Sequence, residues 1–312
     1  MIAFQDVVDA AGRIAGQVRA TPIIKANALR QPISEAAVTL KLEFLQATGS
    51  FKARGATNKL LSMTRESIAK GIVTASGGNH GLATARAGSL AGVAATIFLP
   101  ANAAPSKVEK LRSWGATVEI VGEVWDESNE AALAYAARTG AAYFHPFADP
   151  LVVAGQGTVA LELLEQESSI DTLLVAIGGG GLISGMAVAA KALKPSIRII
   201  GVEPTGAPTL HASLRAGRVV TLDRVTTAVP TMAARRTDER VFDLVRRHVD
   251  DIILIADEEM KEAARWLWFE MGIASDLSGA AAIAALRTGR FAAPRGAHIG
   301  ALVCGAGPDG II

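Results

Sequence analysis

The chain has 312 residues, enough for one large or two modest domains with a full core. Half of the residues are hydrophobic and the mean hydropathy is +0.32, which excludes a disordered chain. The net charge is +1 and no basic block occurs, which argues against a nucleic-acid partner.

The elements follow in chain order. The start, MIAFQDVVDAAGRIAG, carries acids early and has no charged segment before a long apolar run, so no secretory signal is expected. VTLKLEF (38–44) alternates like a half-buried strand. GIVTAS (71–76), VAATIFLP (93–100), ATVEIVG (116–122), TLLVAIG (172–178), IRIIGVE (197–203), DIILIA (251–256) and IGALVCG (299–305) read as buried strands. Helical stretches lie between them. One begins near Pro105 and stops at Gly115, a C-terminal cap residue. Another runs from Glu127 to Thr139 and ends at Gly140. A third starts at Asp257, whose side chain is expected to cap it. Such alternation predicts an α/β fold of mostly parallel sheet with helices on both faces. The uncharged run 172–190 is long enough to span a membrane, but four consecutive glycines break it. The last predicted strand ends near residue 304, so no appended regulatory domain is expected.

In such sheets ligands bind at the carboxyl ends of strands. Three glycine-rich loops occupy those places: SGGNHG (76–81), GGGG (178–181) and CGAG (304–307). Gly178, Gly179, Gly180 and Gly181 open a helix, where outward N–H groups and the helix dipole favour an anion such as phosphate. A tight turn without a ligand, or a dinucleotide site with Glu203 at the next strand end, are the alternatives. Ser76, Gly77, Gly78, Asn79 and His80 form a loop of donors suited to a carboxylate, or equally a plain solvent turn. Lys52, within GSFKARGA, reads by composition as a surface lysine. Phe51 and the small neighbours could provide a dry setting that lowers its pKa and frees it for covalent work. Cys304 is the single cysteine, so no intrachain disulfide can form, which fits a reducing cytoplasm. The five histidines share no metal-site spacing with it, and no metal is expected.

SFKARGA, SGGNHG, HPFADP (145–150), AGQGT (154–158), GGGGLISG and GVEPTGAP (201–208) occur together in this chain. As a set they resemble the serine/threonine dehydratase (ammonia-lyase) branch of the fold-type II pyridoxal-phosphate enzymes, from Thr21-Pro22 to CGAG. The resemblance implies two open, mostly parallel twisted sheets flanked by helices. It implies a large cofactor domain of residues 1–65 and 147–312 and a small domain of residues 70–145. It implies pyridoxal 5'-phosphate as cofactor, a cytoplasmic homodimer and an amino-acid substrate. Lys52 would form the Schiff base and later act as general base. Phe51 would lie against the cofactor ring, Asn79 would bond its hydroxyl, and Gly178 to Gly181 would hold its phosphate. Cys304 would face the pyridine nitrogen. Ser76, Gly77, Gly78, Asn79 and His80 would hold the substrate carboxylate. The implied reaction is α,β-elimination of water from serine, threonine or a relative such as 3-hydroxyaspartate or phenylserine. A 2-oxo acid and ammonia are the products, and the cofactor phosphate would help protonate the leaving group.

Departures from that pattern carry information. Gly77 stands where related serine racemases carry a hydroxyl base, so racemisation lacks its second base. TTAVPTMAARR (226–236) replaces the usual Thr-x-Ala-Asp-Gly run, and Arg235 or Arg236 is a candidate for an extra substrate carboxylate. DLSGA (276–280) replaces Glu-Pro-Ser-Gly-Ala. Thr209 stands where cation-activated relatives carry a second carboxylate beyond Glu203, which again argues against a metal. Racemisation or β-replacement on the same cofactor is the near rival. A nicotinamide-dependent oxidoreductase and an anion-binding protein without turnover are more distant ones.

Overall fold

The short apolar runs separate into two sheets. The computed structural model describes residues 2–101, 103 and 105–311. Strands β1 (Ile23–Lys25), β2 (Ala37–Lys41), β7 (Thr172–Ala176), β8 (Arg198–Pro204), β9 (Asp251–Ile255) and β10 (His298–Leu302) form the first, in the order β1-β2-β10-β7-β8-β9. Strands β3 (Ile72–Ala75), β4 (Ala95–Leu99), β5 (Thr117–Ile120) and β6 (Ala142–Tyr143) form the second, in the order β5-β4-β3-β6. Every pairing is parallel except that of β1 with β2. The α/β class and the two mostly parallel sheets are therefore as expected.

Strands β3, β4 and β7 are buried at every position, as a sheet covered on both faces requires. Strand β5 differs from its buried expectation. It lies at a sheet edge with β4 as its neighbour, and Ile120 is exposed. Strand β2 stops at Lys41, short of the expected 44, because Glu43–Leu45 turns as a 3₁₀ segment. Strands β1 and β6, only three and two residues long, are too short to give a sequence pattern.

The helix Trp125–Thr139 ends at Gly140, which takes the left-handed conformation with φ 77°. The helix Asp257–Met271 starts where expected but is capped differently. Glu259 reaches back to the Ala256 N–H at 2.6 Å. The Asp257 carboxylate instead accepts from Thr227 Oγ1 and the Ala228 N–H, both at 2.6 Å.

Three helices set the site. Lys52–Leu61, Pro150–Gln166 and Gly181–Leu193 cross through glycines. A Cβ at Gly155 would lie 2.6 Å from Gly55 Cα, and one at Gly157 would lie 2.7 Å from the Gly185 carbonyl. AGQGT is thus a close-crossing surface, which brings the Lys52 helix and the tetraglycine helix against one middle helix. Beneath Lys52, Arg54 is fully buried and paired with Glu43 at 2.6 Å and Glu162 at 3.0 Å. Removing one partner from such a buried network costs about 3–5 kcal/mol, so this pairing pins the first turn of the Lys52 helix.

Candidate active site

The three glycine-rich loops meet. SGGNHG follows β3, GGGG follows β7 and CGAG follows β10. The chain before Lys52 runs beside CGAG: Ser50 bridges Gly305, the Phe51 N–H bonds the Cys304 carbonyl at 3.3 Å, and the Ala306 N–H bonds the Gly49 carbonyl at 2.8 Å. Asn79 Nδ2 reaches Asp276 at 3.1 Å, and the Asp276 N–H bonds the Gly305 carbonyl at 3.0 Å. Thr231 touches the other two loops. A Cβ at Gly78 would lie 3.7 Å from its methyl, and one at Gly178 would lie 2.5 Å from its carbonyl.

Lys52 is not a surface residue. It opens the helix Lys52–Leu61, half-buried, and its ammonium donates to the Pro146 carbonyl at 2.6 Å. Burial pulls its pKa down to about 8. The Phe51 ring centroid lies 5.3 Å from Nζ. HPFADP supplies that carbonyl through a turn in which His145 Nδ1 accepts from the Phe147 and Ala148 N–H groups at 3.2 and 3.0 Å. Burial pulls the His145 pKa to about 4, so the ring is neutral.

The tetraglycine loop is walled by protein. Cβ atoms at Gly179 and Gly181 would both overlap Phe147, and one at Gly180 would lie 2.7 Å from Leu210 and Val241. Gly180 has φ 94°, a conformation that glycine adopts without strain. Thr237 Oγ1 donates to the Gly179 carbonyl at 2.9 Å. Among the described residues, the N–H groups of Gly178 to Leu182 have no hydrogen-bond partner. The second helix N-terminus, at Asn79–Ala91, likewise leaves the Asn79 and His80 N–H groups unpaired among the described residues. The His80 ring is buried and gives its Nε2 proton to the Phe144 carbonyl at 3.0 Å, leaving its backbone N–H and its Nδ1 without partners among the described residues. Burial, then the nearby Lys52, holds His80 well below the ordinary histidine range.

Cys304 is 3 % exposed, and its thiol donates to Ser278 Oγ at 3.7 Å. Burial, then Asp276, pushes its pKa up, so the sulfur is a thiol and no nucleophile. Asp276 itself is pushed up by burial. Two candidates fall away from the site. Arg235 donates to the Leu222 carbonyl at 2.8 Å, and Arg236 to Thr221 and Glu239 at 3.0 Å, all on the exposed surface. Glu203 is fully buried and accepts from the Leu210 and His211 N–H groups at 2.8 and 2.9 Å, so its carboxylate is turned into the protein and closed off from a ribose. Pro146, Phe147, Thr231, Thr237 and Asp276 join the site only through the fold. HPFADP and DLSGA were visible as motifs, but nothing local in them shows which atoms they present.

The donor set fits pyridoxal phosphate. It has a lysine of lowered pKa for an aldehyde and a crowded glycine cradle of free N–H groups for a phosphate. Ser50 Oγ and His80 Nδ1 are also buried without partners among the described residues.

Comparison with known proteins agrees. The model of the family described as pyridoxal-phosphate dependent enzyme matches residues 14–305. The L-threonine ammonia-lyase of Thermotoga maritima is 37% identical over 286 residues, covering 92% of this chain and 71% of that protein. The serine racemase of Oryza sativa subsp. indica is 38% identical over 306 residues, covering 96% of this chain and 89% of that protein. The structure of maize serine racemase superposes with a TM-score of 0.92 at 35% identity, covering 97% of this chain and 93% of that one. The chain belongs to the pyridoxal-phosphate-dependent enzyme family, of fold-type II, and its cofactor is pyridoxal 5'-phosphate.

Proposed function

We propose that the chain is a pyridoxal-phosphate-dependent dehydratase, a carbon–oxygen lyase that eliminates water from a β-hydroxy amino acid to give a 2-oxo acid and ammonia. One observation carries this reading: Lys52 brings a buried amine, held on the Pro146 carbonyl, to the cleft, while Gly77 presents no side chain. A Cβ at Gly77 would lie 3.2 Å from the Leu99 methyl, an apolar neighbour that cannot move a proton.

In this reading Lys52 holds the cofactor and, once released, takes the Cα proton. A pKa of about 8 leaves it able to accept a proton near neutral pH. The bound cofactor supplies an electron sink that makes the Cα–H bond acidic. Gly178 to Gly181 would hold its phosphate, Phe51 would pack on its ring, Asn79 would bond its hydroxyl and Cys304 would meet its ring nitrogen. Ser76 to His80 hold the substrate carboxylate. Loss of the Cα proton and the β-hydroxyl leaves an enamine, which hydrolyses to the 2-oxo acid and ammonia.

The charges around the cleft narrow the substrate. Arg235, Arg236 and Arg240 are engaged at the surface, Lys59 pairs with Asp149, and His145 is neutral. Serine, threonine and phenylserine, with uncharged β-substituents, therefore fit better than 3-hydroxyaspartate. A racemase is the second reading, favoured by the likeness to serine racemases.

Two further points belong to the reading. The domains 1–65 with 147–312 and 70–145 are supported by the strands, since each sheet draws its strands from one of those sets. A homodimer is supported by exposed Trp268 and Phe269, and light scattering would test it; a cytoplasmic location is supported by the single, buried cysteine, Cys304. The reaction is tested with purified, cofactor-loaded protein and a panel of β-hydroxy amino acids. Stoichiometric ammonia and 2-oxo acid are expected; the opposite enantiomer as main product would sink the dehydratase reading.

A further inference from the structure

We propose that Asp276 is a positioning residue, which orients the Asn79 amide and, through Ser278, the Cys304 thiol toward the cofactor ring. This rests on the roles given to Asn79 and Cys304 above.

Asp276 caps the helix Leu277–Arg287, its Oδ1 accepting the Gly279 N–H at 2.7 Å. A helix cap needs one side-chain oxygen. Here the carboxylate does more. Oδ1 also accepts the Ser278 hydroxyl at 2.7 Å, and Oδ2 accepts Asn79 Nδ2 at 3.1 Å. Asn79 lies 197 positions away in sequence, on the second sheet's side of the cleft.

The direction of each bond follows from chemistry. Asp276 is the acceptor in all three bonds of its side chain, and a carboxylate oxygen accepts. It therefore turns the NH₂ end of the Asn79 amide toward itself, leaving the second N–H and the carbonyl for what lies in the cleft. The Ser278 proton is committed to Asp276, so the Ser278 oxygen can accept the Cys304 thiol proton at 3.7 Å. One acceptor thus sets the orientation of groups assigned to two different atoms of the ring.

The CGAG loop is shaped around this carboxylate. A Cβ at Gly305 would overlap the Asp276 carboxylate, and one at Gly307 would lie 2.8 Å from Asp276 Cβ. Glycine at both positions lets Asp276 approach the loop that carries Cys304.

Asp276→Asn and Asp276→Ser separate orienting from capping. Both residues cap helices nearly as well as Asp. Asn, however, offers its own NH₂ donors, and Ser is too short to reach Asn79. The bound cofactor's visible absorption maximum, its Kd and the melting temperature are measured in the loaded protein. A shifted maximum and a Kd weakened about tenfold, with melting little changed, are expected in both variants. Asp276→Glu keeps an acceptor-only group and is expected to recover the wild-type maximum. If Asp276→Ser does not fold, Asp276→Asn decides, since it keeps the cap and the size. An unchanged maximum and a Kd within about twofold of wild type would make Asp276 a cap alone and overturn the proposal. A wild-type protein with no visible band overturns the functional reading beneath it as well.

Discussion

Two helix N-termini face the cleft, and they are built differently. At Gly178 to Gly181 protein walls every glycine, with Phe147, Thr231, Leu210 and Val241 all within reach of an added methyl. At Gly77 and Gly78 the nearest neighbours of such a methyl lie 3.2 and 3.7 Å away. The first cradle has one shape and suits a group that never changes, the cofactor phosphate. The second is looser at Gly77 and Gly78, though a Cβ at Gly81 would meet the Ser76 carbonyl at 1.9 Å, and in the proposed reading it takes a carboxylate attached to a variable side chain. Lys52, bonded to the Pro146 carbonyl of the segment that walls the first cradle, opens a helix pinned by the buried Arg54 pairs.

The largest effect belongs to Lys52. Lys52→Ala is expected to lower turnover by about 10³-fold or more, in the ammonia assay, and to remove the visible band. Retained turnover would show another base at work.

Gly179→Ala tests the walled cradle. Its methyl would press into the Phe147 ring, costing about 1–3 kcal/mol of stability. Cofactor affinity should fall at least about tenfold by absorbance titration. An unchanged affinity would mean that the walls are not rigid.

Thr231→Arg tests the junction of the two cradles. Thr231 is exposed and touches both, in a cleft whose other cations are engaged. Adding a cation there should raise kcat/KM for 3-hydroxyaspartate relative to threonine by about tenfold, the scale of one charge-assisted hydrogen bond. No change in that ratio would remove Thr231 from the substrate side.

The pH dependence of cofactor capture reads the Lys52 amine directly. Only the neutral amine attacks an aldehyde, and the neutral form dominates above the pKa. Capture by cofactor-free protein should accelerate with rising pH around a midpoint near 8, since burial lowers Lys52 to about 8. A midpoint near the ordinary lysine value would place Lys52 in water.

Gly77→Ser should have the smallest effect. The open cradle should admit the hydroxyl with less than about 1 kcal/mol of destabilisation, read by melting. KM should change by a few-fold, with the visible band unmoved. A loss as large as that at Gly179 would erase the difference between the cradles.

The sequence made the three glycine loops legible because their signal is local: a buried apolar run, glycines, then a helix. It also made most strands legible to within one or two residues. What it did not show depends on distant partners. Nothing in ATVEIVG says that β5 lies at a sheet edge. Asp257 looks like a cap, but Thr227 and Ala228 claim its carboxylate. Phe147 and Thr231 wall the glycine loop only after folding brings them there. Asp276 sits in a visible motif, yet its bond to Asn79 spans 197 positions. Lys52 stood between: composition made it a surface lysine, and only the motifs around it pointed to chemistry.

The central claim is that Lys52 is the amine that holds the cofactor. Loaded protein treated with borohydride and digested should carry a stable pyridoxyl label on the peptide containing Lys52, with the visible band abolished. A label on another lysine, or none in a protein that retains its dehydratase activity, would contradict the account.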